Sequence, residues 1–225
     1  MNIKPKLFPF LAVVLVFLFS SCFEIIEEVN LNNDGSGSFC LTINMSQSKM
    51  DINAMLLLDS INGRPIPKVD DMKKLLLDME VTLQKDSGLT NIKVSKNWDD
   101  YIFSISGNFN DIKALNEAIR TTYSLLKKPD AATVAMKDNF SFSQKIFKRL
   151  YHLDLVSDYQ SLPEKDKLVF KNAKYTSVYR FKSPVSACSN PGALKSKSGT
   201  SVMLKANISD ILSNSKSIVN SITLN

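Results

Sequence analysis

Residues 23–45 read FEIIEEVNLNNDGSGSFCLTINM, and this stretch decides the fold class. Phe23, Ile25, Val29 and Leu31 share one parity, interrupted by Glu27, while Glu24, Glu28 and Asn30 take the other. A period of two marks a strand with one face buried. Residues 32–37, Asn-Asn-Asp-Gly-Ser-Gly, are types that tolerate positive φ, and Phe39, Leu41, Ile43 and Met45 then alternate with Ser38, Cys40, Thr42 and Asn44. The two runs predict a β-hairpin.

Downstream, Ser46 or Ser48 is a cap for a short helix in which Met50, Ala54, Leu57 and Leu58 share a face, and a Pro-containing loop follows at residues 64–67. Residues 70–85 place Met72, Leu75, Leu76, Met79 and Leu83 at helical spacing, with Gly88 where a left-handed cap belongs. Both stripes are expected in the core. Ile92 and Val94 suggest a strand, residues 97–100 a turn, and Tyr101, Phe103, Ile105 and Phe109 a second strand. Asp111 caps a helix lined by Ile112, Leu115, Ile119, Tyr123 and Leu126 that runs on until Pro129. Phe140, Phe142 and Ile146 alternate, residues 150–156 fit strand or helix equally, and residues 159–172 form a polar, partly helical connection. Tyr175, Ser177, Tyr179 and Phe181 alternate again until Pro184. Turn signals at residues 190–192 and 197–199, a strand through Val202, Leu204 and Ala206, a helical turn at residues 208–212 and a strand or short helix at 218–224 close the chain. The class expected is α+β, a mainly antiparallel sheet built from hairpins with two to four helices packed on it, in a single domain over residues 22–225.

Upstream of the hairpin, Lys4 and Lys6 precede a 13-residue apolar run from Leu7 to Phe19. That is the layout of an export signal, and the run is shorter than the roughly 20 apolar residues that span a bilayer. Phe19-Ser20-Ser21-Cys22 resembles the bacterial lipobox, with Phe where Leu is usual. Residues 1–21 are therefore read as a lipoprotein signal peptide. Cys22 is read as the new N-terminus, carrying a diacylglycerol thioether and an N-acyl chain, with no other cofactor. The first strand starts a residue or two later, which leaves almost no tether between lipid and domain. Cleavage leaves 204 residues and lowers the net charge from +6 to +4. Of the three cysteines, Cys40 and Cys188 would remain, and so distant a pair is expected as two free, half-buried thiols.

The acidic strand, the Asn-Asp-Gly-Ser-Gly turn and the alternating strand just after Cys22 resemble the opening of lipoproteins common in the Bacteroidota. Residues 179–185 (Tyr-Arg-Phe-Lys-Ser-Pro-Val), Ser189-Asn190 and the Ser-Gly turn before Val202-Met203-Leu204 are similar to the close of the LppM-type lipoprotein domain. That resemblance implies an opening hairpin, central helices and a C-terminal strand pair, and it brings no catalytic residues.

The inventory of reactive groups is thin. His152 is the sole histidine, and no Gly-x-Ser-x-Gly or glycine-rich phosphate loop occurs. One His with two remote Cys does not compose a zinc site, so no metal is expected. Asp70-Asp71 and Asp99-Asp100 lack calcium-loop spacing and read as helix-start and turn residues. The strongest charge feature is a block from Lys167 to Asn207 with eight basic residues and no acid: Lys167, Lys171, Lys174, Arg180, Lys182, Lys195, Lys197 and Lys205. Such a block suits anionic headgroups, or it is neutralised in part by the acidic first strand lying in the same sheet. The expectation is a non-enzymatic binding or assembly module of the bacterial cell envelope. It would be held by its lipid at the outer membrane, its face undetermined, with an envelope protein or lipid as partner and no nucleic acid. Two alternatives stay open: an anionic lipid- or glycolipid-binding domain using the basic C-terminal third, and a hydrolase of envelope polymers.

Overall fold

The computed structural model describes residues 23–61, 64–126, 137–150 and 156–225. The opening hairpin is present as β1 (Glu24–Leu31) and β2 (Gly37–Asn44), in unbroken register from Glu24 opposite Asn44 to Leu31 opposite Gly37. Its turn bends at Gly35, whose φ of 88° favours glycine. The Asp34 carboxylate accepts hydrogen bonds from the Ser36 hydroxyl and backbone N–H at 2.7 and 3.0 Å, which hold it below its ordinary pKa. Gly37 is needed for a different reason: a Cβ there would stand 2.1 Å from the Asn30 carbonyl oxygen and 2.6 Å from the Phe109 ring.

The chain continues through α1 (Lys49–Met55), a small hairpin of β3 (Ser60–Ile61) and β4 (Arg64–Pro65), α2 (Val69–Gln84), β5 (Leu89–Asn97), β6 (Ile102–Phe109) and α3 (Ile112–Leu126). A hairpin of β7 (Phe140–Ser143) and β8 (Ile146–Arg149) follows, then α4 (Val156–Ser161) and α5 (Glu164–Lys167). The last third holds β9 (Lys174–Phe181), β10 (Val185–Cys188), β11 (Leu194–Lys195), β12 (Ser201–Asn207), α6 (Ile208–Leu212) and β13 (Asn220–Leu224). A seven-stranded sheet runs β11-β12-β9-β1-β2-β6-β5, and a four-stranded sheet runs β10-β13-β8-β7. All pairings in both are antiparallel except β1 with β9, so the class is α+β with a mainly antiparallel sheet.

Among the described residues, both core clusters pack on one face of the large sheet. Its inner residues, among them Val29, Leu31, Phe109, Tyr179, Phe181 and Val202, pack in one cluster with Leu83 of α2, Leu115 of α3 and Phe140, Phe147 and Ile222 of the small sheet. A second cluster joins Phe23, Ile25 and Tyr175 to Leu204, Ile208, Ile211 and Ile218. The outer face carries Glu28, Asn30, Ser38, Cys40, Thr42, Ser104, Ser106 and Asn108, side by side by register.

Two local expectations are corrected. Nothing in α1 is buried, and Met50, Leu57 and Leu58 are exposed, because this short helix lies past the end of the sheet instead of across its face. Gly88 is not a left-handed cap, since the residue closing α2 is Lys85 at φ −83°. A Cβ on Gly88 would come within 2.6 Å of the Ala114 Cβ, so the glycine lets the loop pass close to α3. The Asp111 cap is present, its carboxylate accepting the Ala114 N–H at 2.8 Å.

Candidate functional site

Strand register divides the large sheet into two ends. At the end where β1 begins, Glu24 faces Asn44 and Lys174, and Asn207 faces Lys174. At the far end Leu31 faces Gly37 and Phe181. Eight residues of strand separate these ends by roughly 23 Å. The basic block is therefore split. Lys174 and Lys205 lie on β9 and β12 near the opening end, and Lys167 and Lys171 precede β9 there. Arg180, Lys182 and Lys197 belong to the far end, while the Lys195 ammonium donates to the Val185 carbonyl at 3.2 Å.

Several of these cations are already engaged. Arg180 contacts Glu28 of β1 at 2.9 Å, and Lys167 contacts Glu164 at 2.7 Å while lying over the Tyr159 ring. Among the described residues, Lys171, Lys174, Lys182, Lys197 and Lys205 have no ion-pair partner. Cys22 and His152, singled out by the sequence, lie outside the described residues. Asp70 pairs with Lys73 and Asp100 with Lys49, each at 3.5 Å. Among the described residues no three His, Cys, Asp or Glu side chains come together as a metal site would require. Cys40 on β2 and Cys188 on β10 are free thiols in different sheets, and burial pushes the Cys188 thiol up.

The densest polar constellation is one that residue patterns did not show. Glu27, on the inner face of β1, takes both guanidinium contacts of Arg149 at 3.0 Å and the hydroxyls of Tyr175 and Tyr179 at 2.9 and 2.5 Å. Arg149 also donates to Asn139 at 3.0 Å and to the Leu150 carbonyl, and it stacks over the Phe140 ring at 4.9 Å. Burial opposes the charge on Arg149, but the carboxylate beside it outweighs that and its pKa rises. Burial, reinforced by the same carboxylate, raises both tyrosines. Every strong donor here faces an acceptor within the cluster, an arrangement that ties the two sheets together. The one legible signal was Glu27 itself, an acid at an apolar parity.

Several hollows lie along the sheet among the described residues. At the far end a cleft of about 640 Å³ is lined by Asn30, Asn108, Arg180 and Lys182 together with Leu31, Phe109 and Phe181. Under α3 an almost wholly apolar groove of about 190 Å³ lies between Leu115, Ile119 and Leu126 on one side and Phe39, Leu41 and Ile105 on the other.

Fold and site together define an α+β domain of two packed sheets joined by a buried ionic tie. No protein-family model and no curated protein matches the chain. Among solved structures, the folded domain of LppM from Mycobacterium tuberculosis, determined by NMR, is similar over 90% of this chain and 89% of that domain, at 13% identity and a TM-score of 0.38.

Proposed function

We propose that the chain is a cell-envelope lipoprotein, acylated at Cys22 and held at the outer membrane as a non-enzymatic binding or assembly module. The observation that carries this reading is the seam between signal and fold. The Phe23 carbonyl already accepts the Lys174 N–H at 2.9 Å, so the domain is hydrogen-bonded into its sheet one residue past the acylated position. No described helix is long and apolar enough to cross a membrane. The non-enzymatic part is supported by the way Glu27, Arg149 and the two tyrosines are spent on one another. Radiolabelled palmitate should enter the wild-type chain and not the Cys22→Ala variant. Equal labelling of the two would remove the assignment.

A second reading, contact with anionic lipid through the basic third, is favoured by Lys171, Lys174 and Lys205. These lie at the opening end without ion-pair partners among the described residues. Arg180, Lys182, Lys195 and Lys197 do not share that position, so only part of the block serves it.

A further inference from the structure

The segment between β2 and α2, residues 45–68, begins and ends at the opening end of the large sheet. It leaves Asn44, which is opposite Glu24. It returns at α2, whose first turns lie beside the β5–β6 turn, with the Lys73 ammonium 5.9 Å from the Trp98 ring. Within it the Met45 N–H donates to the Tyr101 carbonyl at 3.0 Å, and Lys49 pairs with Asp100 of that same turn. The described parts of the segment, residues 45–61 and 64–68, thus form a cap against the β5–β6 turn, at the end of the sheet where β1 begins.

This cap is apolar on the outside. Met50 is 79% exposed, Leu57 86% and Leu58 53%, and Met55 also stands clear of the core. Leu168, six residues before Lys174 on the neighbouring connection, is 60% exposed. Scattered exposed leucines are ordinary, whereas a group of them at one pole of a domain marks an interaction surface. The helix-spaced stripe that starts in α1 has the pattern of a buried face, and nothing among the described residues buries it.

We infer that this cap is a second membrane contact, with Met50, Leu57, Leu58 and Leu168 seated in the interfacial layer of the bilayer that holds the lipid on Cys22. The inference rests on the lipoprotein reading, and it adds an orientation: the sheet stands with β1 rising from the membrane and the far-end cleft pointing away. Acyl attachment at residue 22, with Glu24 opposite Asn44, puts the end of the sheet from which this segment leaves beside the headgroups. Exposed apolar residues occur elsewhere too, as at Leu77, Leu126 and Leu194, but Met50, Leu57, Leu58 and Leu168 gather at this pole and gain by leaving water there. Lys171, Lys174 and Lys205 share this pole and add attraction to anionic headgroups, so the insertion is tested on zwitterionic vesicles, where that attraction is absent.

The test uses the full acylated chain, reconstituted in phosphatidylcholine vesicles that contain brominated acyl chains. Trp98, the sole tryptophan, is replaced by Phe, and a reporter is placed by Leu57→Trp, by Leu58→Trp or, as the far-end control, by Ser198→Trp. Both cap reporters should lose most of their emission and shift to the blue, with the Ser198→Trp emission unchanged. Cap reporters quenched no more than the control overturn the insertion, as does protection of the cap by a second copy, seen as a dimer that Leu57→Glu dissociates. Palmitate labelling of the same preparation separates the two readings: a labelled but unquenched chain loses the insertion and keeps the anchor.

Discussion

Glu27 interrupts the apolar parity of β1, and in the folded chain it points inward with its neighbours instead of turning out. Its carboxylate is surrounded by Arg149, Tyr175 and Tyr179, drawn from two other strands. A slip of β1 by one residue would send Glu27 to the outer face and leave Arg149 charged and alone in the interior, which costs several kcal/mol. The pair therefore defends register more than it adds stability. The tyrosines give it a pH signature. Both are raised above 10.0 by burial first and by the carboxylate second. Below pH 10 folded and unfolded chains hold these protons alike; above it the unfolded chain ionises while the folded one does not, so stability falls as pH rises. The expected loss is about 1 kcal/mol for each tyrosine between about pH 10 and 11, read from urea unfolding. Tyr179→Phe should roughly halve it. If all six tyrosines give tyrosinate absorbance while the chain is still folded, the burial argument fails.

At the scale of elements, alternation and turn chemistry located most strands. Residues 23–45 were legible because polarity alternates cleanly around an Asn/Gly-rich turn. The β7–β8 turn was not, since its two positive-φ residues are Gln144 and Lys145, which carry no turn signature. Charge alone suggested that the acidic first strand lies in one sheet with the basic block, as Glu28 and Arg180 do, but the parallel direction of β1 against β9 and its register left no local pattern. Gly88 shows a subtler miss: the residue type was noticed, but its reason lay across the fold in Ala114. Gly88→Ala should cost about 1–3 kcal/mol as an overpacked contact, measured by thermal or urea unfolding. Ala114→Gly should recover part of that loss in the double variant, whereas a left-handed cap would be indifferent to residue 114.

For the whole molecule, the split of the basic block turns a compositional feature into a directional one. The sequence presents eight cations in a row of strands and loops, and only the register shows that they belong to opposite ends. Flotation of residues 23–225 with anionic vesicles should weaken several-fold when Lys171 and Lys174 are both changed to Glu, each cation near the surface contributing about 1 kcal/mol, and should decline with added salt. The same reversal at Lys182 and Lys197 should leave flotation unchanged; equal losses from the two pairs would mean that the ends do not differ. The β1–β9 pairing also sets an order of assembly. Partners across it are 150 residues apart, so a chain emerging from its N-terminus completes β1 and β2 early, with one edge of β1 still open. Until β9 arrives, that edge offers unpaired backbone to any other strand nearby, which makes the interval before residue 174 the stretch of synthesis most exposed to misassembly and most dependent on a chaperone.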